Sequence, residues 1–191
     1  MVVTMTRALL LVDVQNDFCP GGALGTDRGD EVASKIAALI APGAEAAGYS
    51  EILATQDWHI DPGSHFSENP DFVDSWPVHC VAGSTGAEIR EPVDTTQIAR
   101  YFRKGEYTAA YSGFEGADEE GNALAEYLRE RGIDTLDVCG IATDHCVRAT
   151  VLDARGEGFA VRVLSSLCSP VDEARGEAAL EEMREAGAEI I

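Results

Sequence analysis

Basic residues are scarce in this sequence. The 191 residues include 34 Asp and Glu but only 14 Lys and Arg, which gives a formal net charge of −20. Binding to nucleic acid or to an anionic membrane needs clusters of Lys and Arg, so this charge argues against both partners. Only two lysines occur, Lys35 and Lys104. The acidic excess indicates a well-solvated surface, with adaptation to high salt as the alternative.

The sequence also has no long apolar run, and its number of cysteines is odd. No run of 18 apolar residues occurs, so the sequence predicts no membrane span. The short polar segment Met1–Thr6 does not resemble a signal peptide. The five cysteines are odd in number and unevenly spaced, which excludes a complete disulfide framework. Free cysteines suit a reducing compartment, and we expect a cytoplasmic protein.

Short apolar segments alternate with helical patterns along the chain. The predicted strands cover residues 8–14, 51–56, 98–102, 135–140, 159–164 and 189–191. Apolar residues at helical spacing predict four helices among them. This alternation predicts a three-layer α/β/α fold with a mostly parallel sheet of about six strands, in a single domain spanning residues 1–191. Residues 57 to 97 lack sustained periodicity, and so long a loop is more often functional than idle.

Polar and nucleophilic residues stand where the predicted strands end. Asp13 interrupts the first apolar run, Asp57 follows the second strand, and Lys104 follows the third. Cys146 follows the fourth strand at the start of a helix. Ligands of parallel sheets bind beyond the carboxyl ends of the strands. We therefore expect a carboxylate, a lysine and a thiol to converge at one edge of the sheet.

Cys146 lies in the turn that joins a strand to a helix. With Thr143 as the N-cap, Cys146 falls in the first helical turn, where the helix dipole favours a thiolate and free N–H groups can hold an oxyanion. Asp13 could take the thiol proton, and Lys104 would hold that carboxylate ionised. The alternatives are an inert buried cysteine, a structural Asp13 and an exposed Lys104. His145 is disfavoured as the base, because adjacent helix residues do not face each other.

Three of the four histidines lie in the long loop of residues 57–97. Imidazole and carboxylate groups suit a divalent transition metal such as zinc, iron or manganese. The candidate ligands are Asp57, His59, His65 and His79. The pattern thus predicts a metal-binding loop, with ordinary polar loop residues as the alternative and Cys80 as a rival ligand.

Aromatic residues make up only 7% of the chain, yet many of them fall in or near these loops. They are Phe18, Trp58, Phe66, Trp76, Tyr107, Tyr111 and Phe114. Such side chains could wall a pocket for a small aromatic molecule. The alternative is that they anchor the loops on the core.

Six short motifs follow one another along the chain. They are VDVQNDF at 12–18, DWHIDPGSHF at 57–66, WPVHC at 76–80, KGEY at 104–107, AYSGF at 110–114 and GIATDHCVR at 140–148. Together they resemble the nicotinamidase/pyrazinamidase family of the isochorismatase-like cysteine hydrolases, most of all its actinobacterial members. Each piece alone is weak evidence, but the ordered set covers nearly the whole chain.

This resemblance implies roles for the residues at the strand ends. Cys146 would be the nucleophile, Asp13 the acid/base and Lys104 the third member of a catalytic triad. The Ile141–Ala142 peptide bond would be cis, and the N–H groups of Ala142 and Cys146 would form the oxyanion hole.

The resemblance also implies the loop residues' roles. The metal ligands would be Asp57, His59, His65 and His79. The pyridine ring of the substrate would be held by Phe18, Trp76 and Tyr111. One divalent metal ion is implied, with zinc as the first candidate and iron or manganese as alternatives.

The implied activity is that of an amidohydrolase of NAD salvage. It would convert nicotinamide to nicotinate and ammonia through a thioester, and pyrazinamide should fit the same pocket. The partner would be this small molecule, and the chain would be a monomer or a small homo-oligomer. A hydrolase of isochorismate or of a carbamoyl compound is the neighbouring alternative, and the candidate metal ligands argue against isochorismate. A binding module without catalysis is the alternative of a different class.

Overall fold

The computed structural model describes residues 6–191, which form a central sheet flanked by helices. The strands are β1 (Arg7–Val12), β2 (Glu51–Asp57), β3 (Arg100–Lys104), β4 (Thr135–Ile141), β5 (Ala160–Ser169) and β6 (Glu189–Ile190). Their order is β3-β2-β1-β4-β5-β6, and every neighbouring pair is parallel. The predicted six-stranded parallel sheet is confirmed.

Helices cover both faces of this sheet. They are α1 (Gly29–Ile40), α2 (Leu124–Glu130), α3 (Arg148–Gly156) and α4 (Glu173–Glu185). Within β1, Leu9 and Leu11 pack in one apolar core with α1, whereas Leu10 and Val12 pack in a second core with the other three helices. Successive strand residues point to opposite faces, so a strand buried on both faces must be apolar throughout. This explains the nearly continuous apolar run at the start of the chain.

Three strands differ from the predicted ones by two or more residues at an end. β1 ends at Val12 because Asp13 has a φ of 48°, which turns the backbone out of the extended region. Ile98 reaches the core from a loop rather than from a strand, and β3 runs to Lys104. β5 continues to Ser169 because the β4–β5 ladder resumes beyond an irregularity.

Gly140 brings β4 unusually close to β1. Its φ is 125°, and a Cβ built there would lie 2.1 Å from the carbonyl oxygen of Val12. Only glycine therefore fits at this point of β4. The close approach lies directly before the turn that carries Cys146.

The long segment between β2 and β3 contains short 3₁₀ turns at Gly63–His65, Thr85–Ala87 and Thr95–Gln97. Isolated bridges join His59 to Val81 and connect Phe66 with Trp76. No helix among residues 6–191 is long and apolar enough to cross a membrane. The expectation about a signal peptide concerns Met1–Thr6, which lie almost entirely outside the described residues.

Candidate active site and metal centre

The polar residues singled out in the sequence meet at one edge of the sheet. The strand order reverses between β1 and β4, which is where open α/β sheets bind their ligands. Asp13 follows β1, and Cys146 lies five residues beyond β4. Asp57 and Lys104 are the last residues of β2 and β3. Four adjacent strands therefore each deliver one candidate residue.

Lys104, Asp13 and Cys146 form a buried hydrogen-bonded group. The ammonium of Lys104 donates to Oδ2 of Asp13 over 2.8 Å and lies 3.7 Å from the sulfur of Cys146. The other oxygen of Asp13 accepts the hydroxyl of Thr55 at 2.7 Å. Thr55 was not predicted as a site residue, although a threonine inside an apolar strand was a usable signal. Thr55 stands beside Val12 in the β1–β2 register, so its hydroxyl reaches Asp13, the residue that follows β1.

Burial and the electrostatic interactions among these side chains determine their protonation states. Burial alone would lower the pKa of Lys104, but Asp13 and Asp57 hold it well above its usual value. Burial raises the pKa of Asp13, with Lys104 opposing this shift and Asp57 adding to it. Lys104 therefore remains an ammonium ion, and Asp13 can exchange a proton nearer neutrality than an exposed aspartate.

The thiol of Cys146 is harder to ionise than its position alone indicates. Burial raises its pKa well above the usual value, and the partial compensation by Lys104 is opposed by Asp13 and Asp57. The position at the start of a helix was expected to lower the pKa of Cys146, but the net shift raises it. The desolvation of a fully enclosed sulfur outweighs the partial charge of the helix end.

The turn before Cys146 differs in detail from the predicted helix start. Residues Thr143–Val147 form a π-helical turn, and Ala142 is its N-cap. The predicted cap at Thr143 is wrong, because the carbonyl of Ala142 accepts the N–H groups of His145 and Val147 at 3.1 and 3.0 Å. The wider turn carries Cys146 into the site ahead of α3.

Two residues of this turn, Ala142 and Cys146, bring their backbone N–H groups to the cavity. The Ile141–Ala142 peptide bond is cis, as the resemblance implies. Among residues 6–191, the N–H of Ala142 bonds no backbone carbonyl outside the strands, and that of Cys146 bonds none outside its own turn. Both residues line the same cavity, so these donors stand beside the thiol.

Asp57 and the three loop histidines form one buried cluster. Oδ2 of Asp57 lies 3.5 Å from Nε2 of His59 and 3.7 Å from Nε2 of His79. The ring of His65 lies 5.0 Å from that of His59 and 5.4 Å from that of His79, measured between ring centres. All four candidate ligands therefore come together as the spacing predicted.

The donor atoms of this cluster suit a divalent metal ion. Nδ1 of His59 pairs with the carbonyl of Gly105 at 2.6 Å, and Nδ1 of His79 pairs with that of Pro77 at 2.7 Å. Such bonds direct the opposite ring nitrogen toward a metal. Within the part of the chain that the structure describes, Nε2 of His59 and Nδ1 of His65 are buried without a hydrogen-bond partner, a costly state that a metal ion relieves.

The protonation states of the candidate ligands also favour a metal site. Burial and the neighbouring histidines lower the pKa of His65 to about 4, so its imidazole is neutral near pH 7. Burial would raise the pKa of Asp57, but the charge of Lys104 and the nearby imidazoles of His59 and His79 hold it well below the usual value. A neutral imidazole and an ionised carboxylate are the forms that bind metals.

Cys80 does not join the donor cluster. Its sulfur faces the carbonyl of Gly86 at 3.9 Å, and burial raises the pKa of its thiol far above the usual range. A thiol must lose its proton to bind a metal. The structure therefore disfavours this rival ligand.

A cavity of about 310 Å³ opens between the thiol of Cys146 and the candidate metal ligands. The predicted aromatic residues Phe18, Trp76 and Tyr111 all line it. The indole N–H of Trp76 donates to the hydroxyl of Tyr111 at 3.3 Å, which fixes the two rings relative to each other. Sequence analysis did not assign Phe72 and Val171 to this wall, and it considered His145 only as a base.

The sequence matches a known family along nearly all of its length. The isochorismatase domain matches residues 7–191. The chain is 53% identical to the nicotinamidase/pyrazinamidase of Mycobacterium tuberculosis over 185 residues, which cover 97% of this chain and 98% of that protein.

Solved structures give the same result. The pyrazinamidase of Pyrococcus horikoshii in complex with zinc has a TM-score of 0.81 and 38% identity, covering 97% of this chain and 98% of that one. A protein from L. infantum in complex with nicotinate has a TM-score of 0.83 and 34% identity, covering 100% of this chain and 96% of that one. The chain therefore belongs to the isochorismatase family and, within it, to the nicotinamidases/pyrazinamidases.

Proposed function

We propose that this chain is a nicotinamidase, a metal-dependent cysteine amidohydrolase that converts nicotinamide to nicotinate and ammonia. One observation carries the proposal. The thiol of Cys146, which shares the ammonium of Lys104 with the base Asp13, lines an aromatic-walled cavity that the candidate metal ligands Asp57, His65 and His79 also line. The nicotinamidase/pyrazinamidase of M. tuberculosis and the nicotinate-bound structure support this substrate class. Pyrazinamide differs from nicotinamide by one ring nitrogen and is the expected second substrate.

The first half of the reaction forms a thioester and releases ammonia. Because burial keeps Cys146 protonated, Asp13 takes the thiol proton as the sulfur attacks the carboxamide carbon. The N–H groups of Ala142 and Cys146 stabilise the oxyanion of the tetrahedral intermediate. Asp13 returns the proton to the amide nitrogen, the C–N bond breaks, and ammonia leaves.

The second half restores the free enzyme. Asp13 takes a proton from a water molecule that attacks the thioester carbon, and the same N–H groups hold the second oxyanion. The C–S bond breaks, the sulfur regains a proton from Asp13, and the product leaves as nicotinic acid, which loses its carboxyl proton to solvent and becomes nicotinate. Lys104 stays charged throughout and stabilises the ionised form of Asp13.

The aromatic wall positions the substrate for this attack. Phe18, Trp76 and Tyr111 hold the pyridine ring by stacking and edge contacts. Fixing the ring places the carboxamide at the sulfur, which lowers the entropic part of the barrier.

The metal would be held by Asp57, His59, His65 and His79. When bound, a divalent ion supplies a Lewis acid that orients the substrate and acidifies a bound water. Zinc is the first candidate, in line with the zinc complex of the P. horikoshii pyrazinamidase, and the same donors accept iron or manganese.

The enzyme is proposed to act in the cytoplasm as a monomer or a small homo-oligomer. All five cysteines are free and buried, which suits a reducing compartment. The acidic surface favours neither nucleic acid nor an anionic membrane as a partner.

Ammonia release from nicotinamide tests the proposal. The purified protein is assayed as isolated, after exhaustive chelation, and after addition of Zn²⁺, Fe²⁺ or Mn²⁺. We expect release to fall on chelation and to return with at least one metal.

Two other outcomes would revise the proposal. Release that survives exhaustive chelation would keep the cysteine chemistry but remove the metal from it. No release with any metal would contradict the amidase and redirect the search to carbamoyl compounds.

A further inference from the structure

The polar segment after the catalytic base makes contacts that the mechanism does not use. The side-chain amide of Gln15 bonds both the N–H and the carbonyl of Asp57, each over 2.9 Å. The carboxylate of Asp17 accepts the N–H of Cys80 at 2.8 Å with one oxygen and the N–H of Ala23 at 3.3 Å with the other. Both side chains thus reach backbone that carries or adjoins metal ligands.

Cys80 occupies a sensitive position in the metal-binding loop. It directly follows His79, and its carbonyl accepts the N–H of His59 at 3.0 Å. Its φ is 45°, a left-handed conformation that is uncommon outside glycine and persists where surrounding contacts enforce it. The bond from Cys80 to Asp17 is such a contact. A single residue with an unusual backbone therefore links two candidate ligands and is fixed by one carboxylate.

The surroundings of Asp17 are shaped for this carboxylate. A Cβ built on Gly86 would lie 2.1 Å from Oδ2 of Asp17, so the carboxylate fills the space where a side chain would stand. A glycine at this position lets the backbone of the metal-binding loop close over Asp17.

Asp17 also holds the wall of the substrate cavity. Besides the bond to Ala23, its own carbonyl accepts the N–H of Leu24 at 2.8 Å. Ala23 and Leu24 line the cavity. The residue therefore joins the substrate wall to the metal-binding loop.

We propose that Asp17 is a positioning residue for the metal centre, which keeps His79 in place by fixing the backbone of Cys80. The proposal rests on the metal site of the proposed function. Groups that orient metal ligands through hydrogen bonds typically contribute 10- to 100-fold to metal affinity. Because Asp17 touches neither the donor atoms nor the thiol, its loss should weaken the metal without removing a ligand.

Titration of metal-free protein with Zn²⁺ against a chromophoric chelator tests this role without reference to activity. We expect Asp17→Ala to bind Zn²⁺ about 10- to 100-fold more weakly than the wild type. Asp17→Asn keeps one acceptor oxygen and should lose less. Gly86→Ala, whose methyl group displaces the carboxylate, should reproduce the defect. Asp94→Ala is the matched control, since Asp94 accepts the N–H of Thr96 within its own turn, and it should bind Zn²⁺ normally.

Thermal unfolding of the metal-free proteins separates positioning from folding. A graded loss of affinity, Ala more than Asn, in variants that are folded at the titration temperature supports the proposal. Unchanged Zn²⁺ affinity in folded Asp17→Ala and Gly86→Ala, or an equal loss in Asp94→Ala, would overturn it. A wild-type protein that binds no Zn²⁺, Fe²⁺ or Mn²⁺ would overturn the metal site itself, whereas failure of the variants alone leaves the proposed function intact.

Discussion

Lys104 and Asp57 form a buried ion pair that joins the proposed catalytic residues to the proposed metal ligands. One oxygen of Asp57 accepts the ammonium of Lys104, while the other faces the ring nitrogens of His59 and His79. The same ammonium bonds Asp13 at 2.8 Å. One positive charge therefore serves both halves of the site, and a change at either carboxylate alters the other.

Replacing Lys104 by methionine tests this shared charge. Lys104→Met leaves two buried carboxylates without their counter-ion, so we expect a loss of about 3–5 kcal/mol in the free energy of unfolding. Because Lys104 lowers the thiol pKa, its loss should also slow alkylation of Cys146 near neutral pH. Urea unfolding and the alkylation rate against pH measure the two effects. Lys35→Met, which changes a half-exposed lysine, is the control, and an unchanged alkylation profile in Lys104→Met would remove Lys104 from its assigned role.

The nucleophile has a matched control in the preceding strand. Cys146→Ala should lower ammonia release by roughly 10⁴- to 10⁶-fold, as loss of a nucleophile does in other hydrolases. Its far-ultraviolet circular dichroism and metal content should stay normal. Cys139→Ala removes another buried thiol, one whose sulfur lies 3.9 Å from the carbonyl of Leu10, and should stay active. Wild-type turnover in Cys146→Ala would contradict the mechanism.

The sequence was most informative where local chemistry is unusual. Asp13 inside an apolar run and three histidines in one loop are costly unless they serve a site, and both patterns predicted the right neighbourhood. The parallel sheet then places the strand ends together. For this reason the sequence could predict which side chains lie together, while their proposed roles as catalytic residues and metal ligands remain to be tested.

What the sequence did not reveal depends on pairing between distant segments. Thr55 meets Asp13 across 42 positions, and Asp17 meets Cys80 across 63. A threonine or an aspartate has no local pattern that names its partner. The thiol pKa of Cys146 was expected with the wrong sign for the same reason, because burial is set by the whole fold.

Replacing different histidines should have different effects on the amount of bound metal. His59→Ala removes a donor whose other ring nitrogen is already bonded to Gly105, so the metal should be lost or retained only in part. Elemental analysis after dialysis measures the content. His145→Ala changes the remaining histidine, which lines the cavity outside the cluster, and should keep its metal. Full metal content in His59→Ala would refute its assignment as a ligand.

The hydrogen bond from Thr55 to Asp13 should influence the pH dependence of catalysis. Asp13 must be ionised to accept the thiol proton, so kcat/KM rises as the pH increases through the pKa of Asp13. Burial raises that pKa, which places the acidic limb above the usual value of 3.8. The hydroxyl of Thr55 donates to the carboxylate and thereby favours its ionised form.

Thr55→Val should therefore move the acidic limb of kcat/KM upward by about one pH unit, since one unit corresponds to about 1.4 kcal/mol of lost stabilisation. A merely structural role would lower stability without moving the limb. Thr135→Val is the control, because Thr135 is also a buried strand threonine but its hydroxyl bonds Asp134. A limb that stays in place in Thr55→Val would mean that Lys104 alone determines when Asp13 ionises.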